Sequence, residues 1–370
     1  EVCELNRGVV YSKKDEVAAN GYKILRANNI SLENGLNLDD VKLISKELRL
    51  KDSQKLKTQD IFICLASGSK DHIGKTAYIT EDTEYYFGGF MGAVRAKKEN
   101  INSKYLYYLL SDQKFNDYLG QAISGANINN LNSGILSRYQ IPLPPLEIQE
   151  QIVAELDGYA NIIAGAKQIT QNWKPQITID PDWVTVKLGN VCDVRDGTHD
   201  SPKQVQEGYP LITSKNIKDG QLDFTNVSYI SEDDFKKVSH RSYVEVGDII
   251  MPMIGTIGGA CLIKSKATEF AIKNVALFKK SEKILPDYLL NVLDSELVAA
   301  MFENQSAGAT QKFVSLGVLR GLEIPAPPIA IQKQIVEKIE AERALVNSAQ
   351  KLIQIYEQKT KETIAKLWQI

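Results

Sequence analysis

The sequence predicts an α+β chain in which two strand-rich domains are joined by two long helices packed as an antiparallel coiled coil, arranged as an internal pseudo-twofold repeat. Three observations lead there. IPLPPLEIQEQIV at 141–153 returns as IPAPPIAIQKQIV at 324–336, every position 183 residues later, and a repeat of that length marks a duplicated unit. Each copy opens a long stretch with apolar residues three and four apart, the stripe of a long helix. The blocks before each copy hold short apolar runs between Gly, Asn and Asp turns, the pattern of buried strands. A duplicated chain holds two similar surfaces apart or offers two equal surfaces to a symmetric partner.

The chain divides at 1–140, 141–178, 179–323 and 324–370. The first block contains GYKILRANNI (21–30) and the apolar run Ile61-Phe62-Ile63-Cys64-Leu65; the third contains GYPLITSKNI (208–217) and Ile249-Ile250-Met251. KYLYYLLSD (104–112) parallels DYLLNVLDS (287–295), and helices are expected over 103–118 and 286–303. In the second block the stripe runs through Ile148, Ile152, Leu156 and Tyr159, and Pro175 stops the helix near Trp173. In the fourth it runs through Ile335, Ile339, Leu345, Leu352 and Tyr356, a helix of roughly 40 residues or ~60 Å. Proline at the head of both helices suits the first turn, whose N–H groups lack partners anyway. Ile148, Ile152 and Leu156 are expected to pack along Ile335, Ile339 and Leu345. The second repeat opens with WVTVKLGNVC (183–192) whereas the first starts at Glu1-Val2-Cys3, so the chain is expected to be trimmed at its start.

Bulk properties bound the function. The 370 residues suffice for two or more domains, and the net charge of −2 gives no basic signature. Residues 1–140 carry 19 basic and 17 acidic side chains, and residues 179–323 carry 16 and 20. Nucleic-acid contact would then need local basic patches, because counterion release depends on clustered Lys and Arg. No apolar run reaches a membrane span, and Cys3, Cys64, Cys192 and Cys261 have neither zinc nor disulfide spacing. They read as reduced, buried thiols in a cytoplasmic protein.

Catalytic motifs are tempting in two places and fail in both. SKDHIGKT (69–76) ends like a phosphate-binding loop, but Ser69 stands where a glycine is needed and the following AYIT is strand-like. LPPL (143–146) and APPI (326–329) lack the polar acceptor and aromatic ring with which amino-methyltransferases grip a base. His72, His199 and His240 have no nucleophile at a recognisable spacing. No catalytic residue and no metal site is assigned.

The duplicated IP-x-PP-x-x-x-Q-x-Q-I-V segments, each opening a long helix, together with DGTH at 196–199 and SKNI at 214–217, resemble the specificity subunit of type I restriction–modification systems. The resemblance spans essentially the whole chain. It implies that 1–140 and 179–323 are target recognition domains, each reading one half of a gapped double-stranded DNA site. The helices at 141–178 and 324–370 would be spacers. It also implies two modification (methyltransferase) subunits that dock on the chain and carry S-adenosylmethionine, restriction subunits in the full complex, no cofactor in this chain and no membrane. A specificity region of a fused restriction–methylation enzyme and a non-DNA coiled-coil scaffold remain the alternatives.

Candidate DNA contacts come in matched groups. Arg26, Asn28 and Asn29 match Ser214, Lys215 and Asn216. Asn127, Asn129 and Asn130 match Thr310, Gln311 and Lys312 in Gly-containing loops. Lys70 and Lys75 form a basic spot, and His199 sits in a turn-rich loop. Asn and Gln pair bidentately with adenine, and Lys with guanine or phosphate.

Overall fold

The computed structural model describes residues 2–31, 34–68, 72–124, 131–218, 220–254, 258–306 and 313–369. The chain forms two compact units, Glu1–Gln168 with Gln350–Ile370, and Ile169–Ala349. Both long helices therefore contribute one end to each unit.

Among its described residues the first unit holds seven strands, β1 (Cys3–Arg7), β2 (Tyr22–Leu25), β3 (Lys42–Ile44), β4 (Ile61–Cys64), β5 (Thr76–Tyr78), β6 (Tyr86–Phe87) and β7 (Met91–Ala96). They make an antiparallel sheet β1-β7-β4-β5 and a sheet β3-β2-β6 whose β2–β6 pair is parallel. Helices α1 (Ser103–Leu110), α2 (Gln113–Ser124) and α3 (Ser133–Arg138) follow, then α4 (Leu146–Asn172). The unbroken apolar run of β4 follows from burial on both faces. Ile61 and Ile63 pack with Tyr105, Leu106 and Leu109 of α1, while Phe62 and Cys64 pack with Leu25, Ala77 and Phe87. Successive strand residues point to opposite sides, so a strand covered on both needs no polar alternation.

The second unit repeats the plan. It contains β8 (Thr185–Lys187), α5 (Leu188–Val191), β9 (Val194–Asp196), β10 (Gln204–Val205), β11 (Tyr209–Ile212), β12 (Ile217–Lys218), β13 (Gln221–Leu222), β14 (Ser228–Ile230) and α6 (Glu232–Ser242). Then come β15 (Ile249–Pro252), β16 (Cys261–Leu262), β17 (Ala271–Ile272), β18 (Val275–Phe278), α7 (Pro286–Leu293), α8 (Glu296–Ser306), α9 (Leu316–Gly321), β19 (Glu323–Pro325) and α10 (Ile329–Leu367). The sheet β9-β18-β15-β16 has the order of β1-β7-β4-β5, and β11–β17 is parallel like β2–β6. The strands β8, β10, β12, β13 and β19 have no counterpart among the first unit's strands; β8 pairs with β19 and β12 with β13.

The two copies share their polar fastenings as well as their topology. Gln149 is fully buried; its Oε1 accepts from the Asn102 N–H at 2.8 Å and its Nε2 donates to the Pro144 carbonyl at 2.8 Å. Gln332 does the same with the Leu285 N–H at 2.9 Å and the Pro327 carbonyl at 2.8 Å. Tyr105 and Tyr288 donate their hydroxyls to the carbonyls of Pro142 and Pro325. The Pro-rich repeat is thus the stretch that each long helix uses to grip its own domain. In the strand blocks, buried Asp60 accepts from the Lys57 N–H and Arg95, and buried Asp248 accepts from the Glu245 N–H and Lys279.

Three expectations are corrected. Helices 103–118 and 286–303 are each two helices. The first breaks where the Ser111 hydroxyl donates back to Tyr107 and Asp112 caps the next helix at Lys114; the second breaks where Ser295 donates to Val292. Ile148 is 39% exposed and Leu345 71% exposed, so neither lies in a buried seam. Ile335 packs against the second unit's core, whereas Leu156 and Ile339 are buried and Ile152 packs against the core that includes Leu367. Within the first unit, Tyr159 meets Tyr356 with ring centroids 5.3 Å apart, and Trp368 meets Tyr139 at 5.7 Å under the Lys114 ammonium. Within the second, the Trp173 indole donates to Glu342 at 3.3 Å and lies beneath the Arg343 guanidinium.

Replacing Gln149 or Gln332 by Ala leaves a buried N–H and a buried carbonyl without partners. Each substitution is expected to destabilise its own unit by ~2–4 kcal/mol, measured by urea denaturation. A loss no larger than that of an exposed Gln→Ala control would remove the clamp from this role.

Candidate nucleic-acid interface

The matched groups RANN and SKN become the same object in three dimensions. Each is a 3-10 turn, Ala27–Asn29 or Ser214–Asn216, directly after the strand that takes the parallel partner. The third residue is buried in both. The Asn29 carbonyl oxygen accepts from the Arg26 N–H at 2.8 Å, and its amide donates to the carbonyls of Asn37 and Asp40 at 2.8 and 3.1 Å. Asn216 accepts from Thr213 N–H and hydroxyl and donates to the Asp223 and Asn226 carbonyls at 3.2 Å. Both amides are saturated within their own loops. The expectation that Asn29 and Asn216 face bases is therefore corrected: their polar groups hold the turn.

The middle of each turn is what faces outward. Asn28 and Lys215 are exposed, and Ser214 is half-buried. Arg26 and Asn28 both donate to the Asp40 carboxylate, at 2.8 and 3.0 Å, which sets their direction. Lys75 is only 9% exposed at the head of β5, so it does not supply the open basic spot expected of it. Lys70, Asn127, Asn129, Asn130, Thr310, Gln311 and Lys312 lie outside the described residues.

His199 stands in a polar knot on the loop after β9. Its two ring nitrogens lie 2.9 Å from Asn274 Oδ1 and 2.8 Å from Asp196 Oδ2. Asp196 also takes the Arg241 guanidinium, and Lys273 donates to Ser201 at 2.6 Å. Oxygen acceptors on both ring nitrogens favour the doubly protonated imidazole. The Asn274 bond, then the Asp196 bond, raise the His199 pKa above its ordinary 6.5.

Sequence reasoning missed a concavity in the first domain. A cleft of about 720 Å³ opens among the loop after β1, the Ala27–Asn29 turn and the Gly88-Gly89-Phe90 turn. Val10, Tyr11, Lys13, Arg26, Asn28 and Phe90 are among its lining residues. The Gly88-Gly89 doublet was the available signal. Among the described residues no group of three His, Cys, Asp or Glu side chains could hold a metal, and no helix is long and apolar enough to cross a membrane.

The comparisons with known proteins agree with this duplicated layout. The family described as Type I restriction modification DNA specificity domain matches residues 1–172 and again 181–356. The Type I restriction enzyme EcoKI specificity subunit of Escherichia coli (strain K12) is 24% identical over 95% of this chain and 82% of its own length. The StySPI specificity subunit of Salmonella potsdam is 25% identical over the same shares. A solved chain from a study of complex assembly and conformational transition in the type I R-M system shares the fold with a TM-score of 0.59 at 16% identity, covering 99% of this chain and 97% of that one.

Two expected outcomes follow from this geometry. By proton NMR, His199 titrates above 6.5, and Asn274→Gly, which keeps the left-handed φ of 56° accessible, lowers that midpoint. Because the native pKa is raised, the stabilisation from this knot is full below ~6.5 and fades as pH rises through the native value. An unchanged midpoint in the glycine variant would separate Asn274 from the histidine's ionisation. Asn29→Ala and Asn216→Ala are each expected to lower stability by ~1–3 kcal/mol in thermal or urea unfolding.

Proposed function

The chain belongs to the type I restriction modification DNA specificity domain family, and on that premise we propose that it is the non-catalytic, DNA-reading subunit of a type I restriction–modification complex. The observation that carries this reading is the duplication. Two domains with one sheet order, one kind of outward-facing turn and one glutamine clamp each carry different residues at the corresponding loop tips. That is what a reader of two unrelated short blocks needs: shared framework and divergent tips.

In this reading each domain takes one block of a gapped double-stranded site, with Asn28 in one and Lys215 in the other facing the duplex and residues 125–130 and 308–312 as further candidates. Arg26 and Ser214 support those turns, and His199 joins the second reader's contacts. Lys70 remains a candidate for the first. Two modification subunits dock on the chain and bring S-adenosylmethionine and the chemistry, and restriction subunits complete the assembly.

The two long helices act as an antiparallel spacer. Two contacts support that pairing. In the first unit Tyr159 meets Tyr356, and in the second Trp173, one residue past the end of α4, meets Glu342 of α10. Dimeric DNA-binding proteins fix half-site spacing through geometry in the same way.

Methylome sequencing of cells that express this chain with its modification partner is expected to give two short blocks separated by a non-specific gap. Exchanging residues 1–140 for another reader changes one block only. Four residues added in register to both helices, ~6 Å of rise, lengthen the gap by about one to two base pairs. An ungapped motif would contradict the two-reader mechanism. The purified chain with labelled S-adenosylmethionine and DNA is expected to transfer no methyl groups, and transfer without a partner would refute the non-catalytic assignment.

A further inference from the structure

The corner after the first strand of each reader is built alike and finished differently. In the first domain Val9 bridges Gly88, and in the second Thr198 bridges Lys273, both in parallel sense. One residue on, Val10 stands where the second domain has His199, and Gly89 where it has Asn274. The second corner is the polar knot of His199, Asn274, Lys273 and Asp196. The first has no such group at those positions, and one additional residue, Phe90, follows before the strand resumes.

Val10 is 88% exposed and Phe90 72%, the two highest exposures among the described large apolar side chains of residues 1–140. Single exposed apolar residues need no explanation. Two on adjoining loops of one cleft, on a fixed backbone, do. The Phe90 carbonyl accepts from both the Leu65 and Ala66 N–H groups at 2.9 and 3.0 Å. A Cβ on Gly8 would lie 2.1 Å from the Gly88 carbonyl oxygen, so the two loops touch backbone to backbone. The Val10 side chain comes within 3.3 Å of the site of a Cβ on Gly89. The side chains project while their main chain is held, which lowers the entropy lost on contact.

Resting on the DNA-reading function proposed above, we infer that Val10 and Phe90 are specificity-determining residues that make apolar contact with the C5-methyl group of a thymine in the block read by the first domain. Thymine's methyl is the apolar group that base pairs display in the major groove. Exposed Lys13 lines the same cleft and complements the phosphates alongside. The second domain, with a polar knot at this corner, makes no such contact there.

The test uses the full chain assembled with its modification subunits and duplexes carrying the gapped site. Thymines on either strand are replaced one at a time by deoxyuridine, which lacks only the methyl. At one position of the first domain's block, replacement is expected to weaken binding ~4-fold, the equivalent of one buried methyl-sized group. The variant V10S/F90S is expected to bind thymine and uracil duplexes there alike, while F90L retains part of the discrimination. Uracil in the other block affects wild type and V10S/F90S equally. Uracil tolerance at every position of the first block, discrimination that persists in V10S/F90S, or a first block without thymine would each overturn the inference. All three leave gapped recognition intact, whereas loss of gapped recognition itself would sink the proposed function.

Discussion

The side-chain amides of Gln149 and Gln332 are the points through which each long helix is joined to its reader. Each is buried, each ends up bonded at both its oxygen and its nitrogen, and each spans the N–H at the head of one helix and a carbonyl in the proline run. An amide is suited to this because it offers an acceptor and a donor on one rigid group with no charge to desolvate. The Pro144 and Pro327 carbonyls lie outside the strands and helices, which leaves them available to the amide. Packing of the helix on α1 or α7 follows from that join. Asp157 meets Lys104 and Tyr108 in one copy, and Arg343 meets Asn291 in the other.

The same division between fixed frame and free tip runs through the strand blocks. Asp60 with Arg95, and Asp248 with Lys279, tie the turn before the central strand to the strand beside it. Asn29 and Asn216 close the turns that carry the outward residues. With these positions satisfied internally, side chains such as Asn28, Lys215 and Val10 can change without exposing a buried polar group. Specificity can then vary at little cost to stability, since substitutions remote from buried bonds are mild.

The repeat was legible in the sequence because both copies must satisfy the same buried bonds, which holds Gln149 and Gln332 and their prolines in register. The long helices were legible from their spacing and their prolines, and the doubly covered β4 from its unbroken apolar run. The breaks at Ser111 and Ser295 were not, because a serine that donates to its own backbone looks like any other helix serine. The seam was misread at Ile148 and Leu345, since apolar spacing gives a stripe but not what covers it. At the candidate site, Asn29 and Asn216 were the right residue type in the right turn, but composition does not tell an amide facing a base from one spent on its own loop. Val10 and Phe90 carried no signal in the sequence: an apolar residue beside a strand shows nothing of its exposure there, and only the structure shows these two standing outside.

The tryptophans carry a consequence of a different kind. All three, Trp173, Trp183 and Trp368, fall outside residues 1–140, and two of them sit at helix ends against a cation, Arg343 or Lys114. Trp368 also rests on Tyr139, close enough for tyrosine emission to be passed to the indole. The tryptophan fluorescence of this chain therefore originates at the helix termini and the entry to the second domain. The loops of the first reader hold tyrosines such as Tyr11 but no tryptophan, so with excitation selective for tryptophan a change in emission when a ligand occupies them reports a strain or shift relayed to an indole elsewhere.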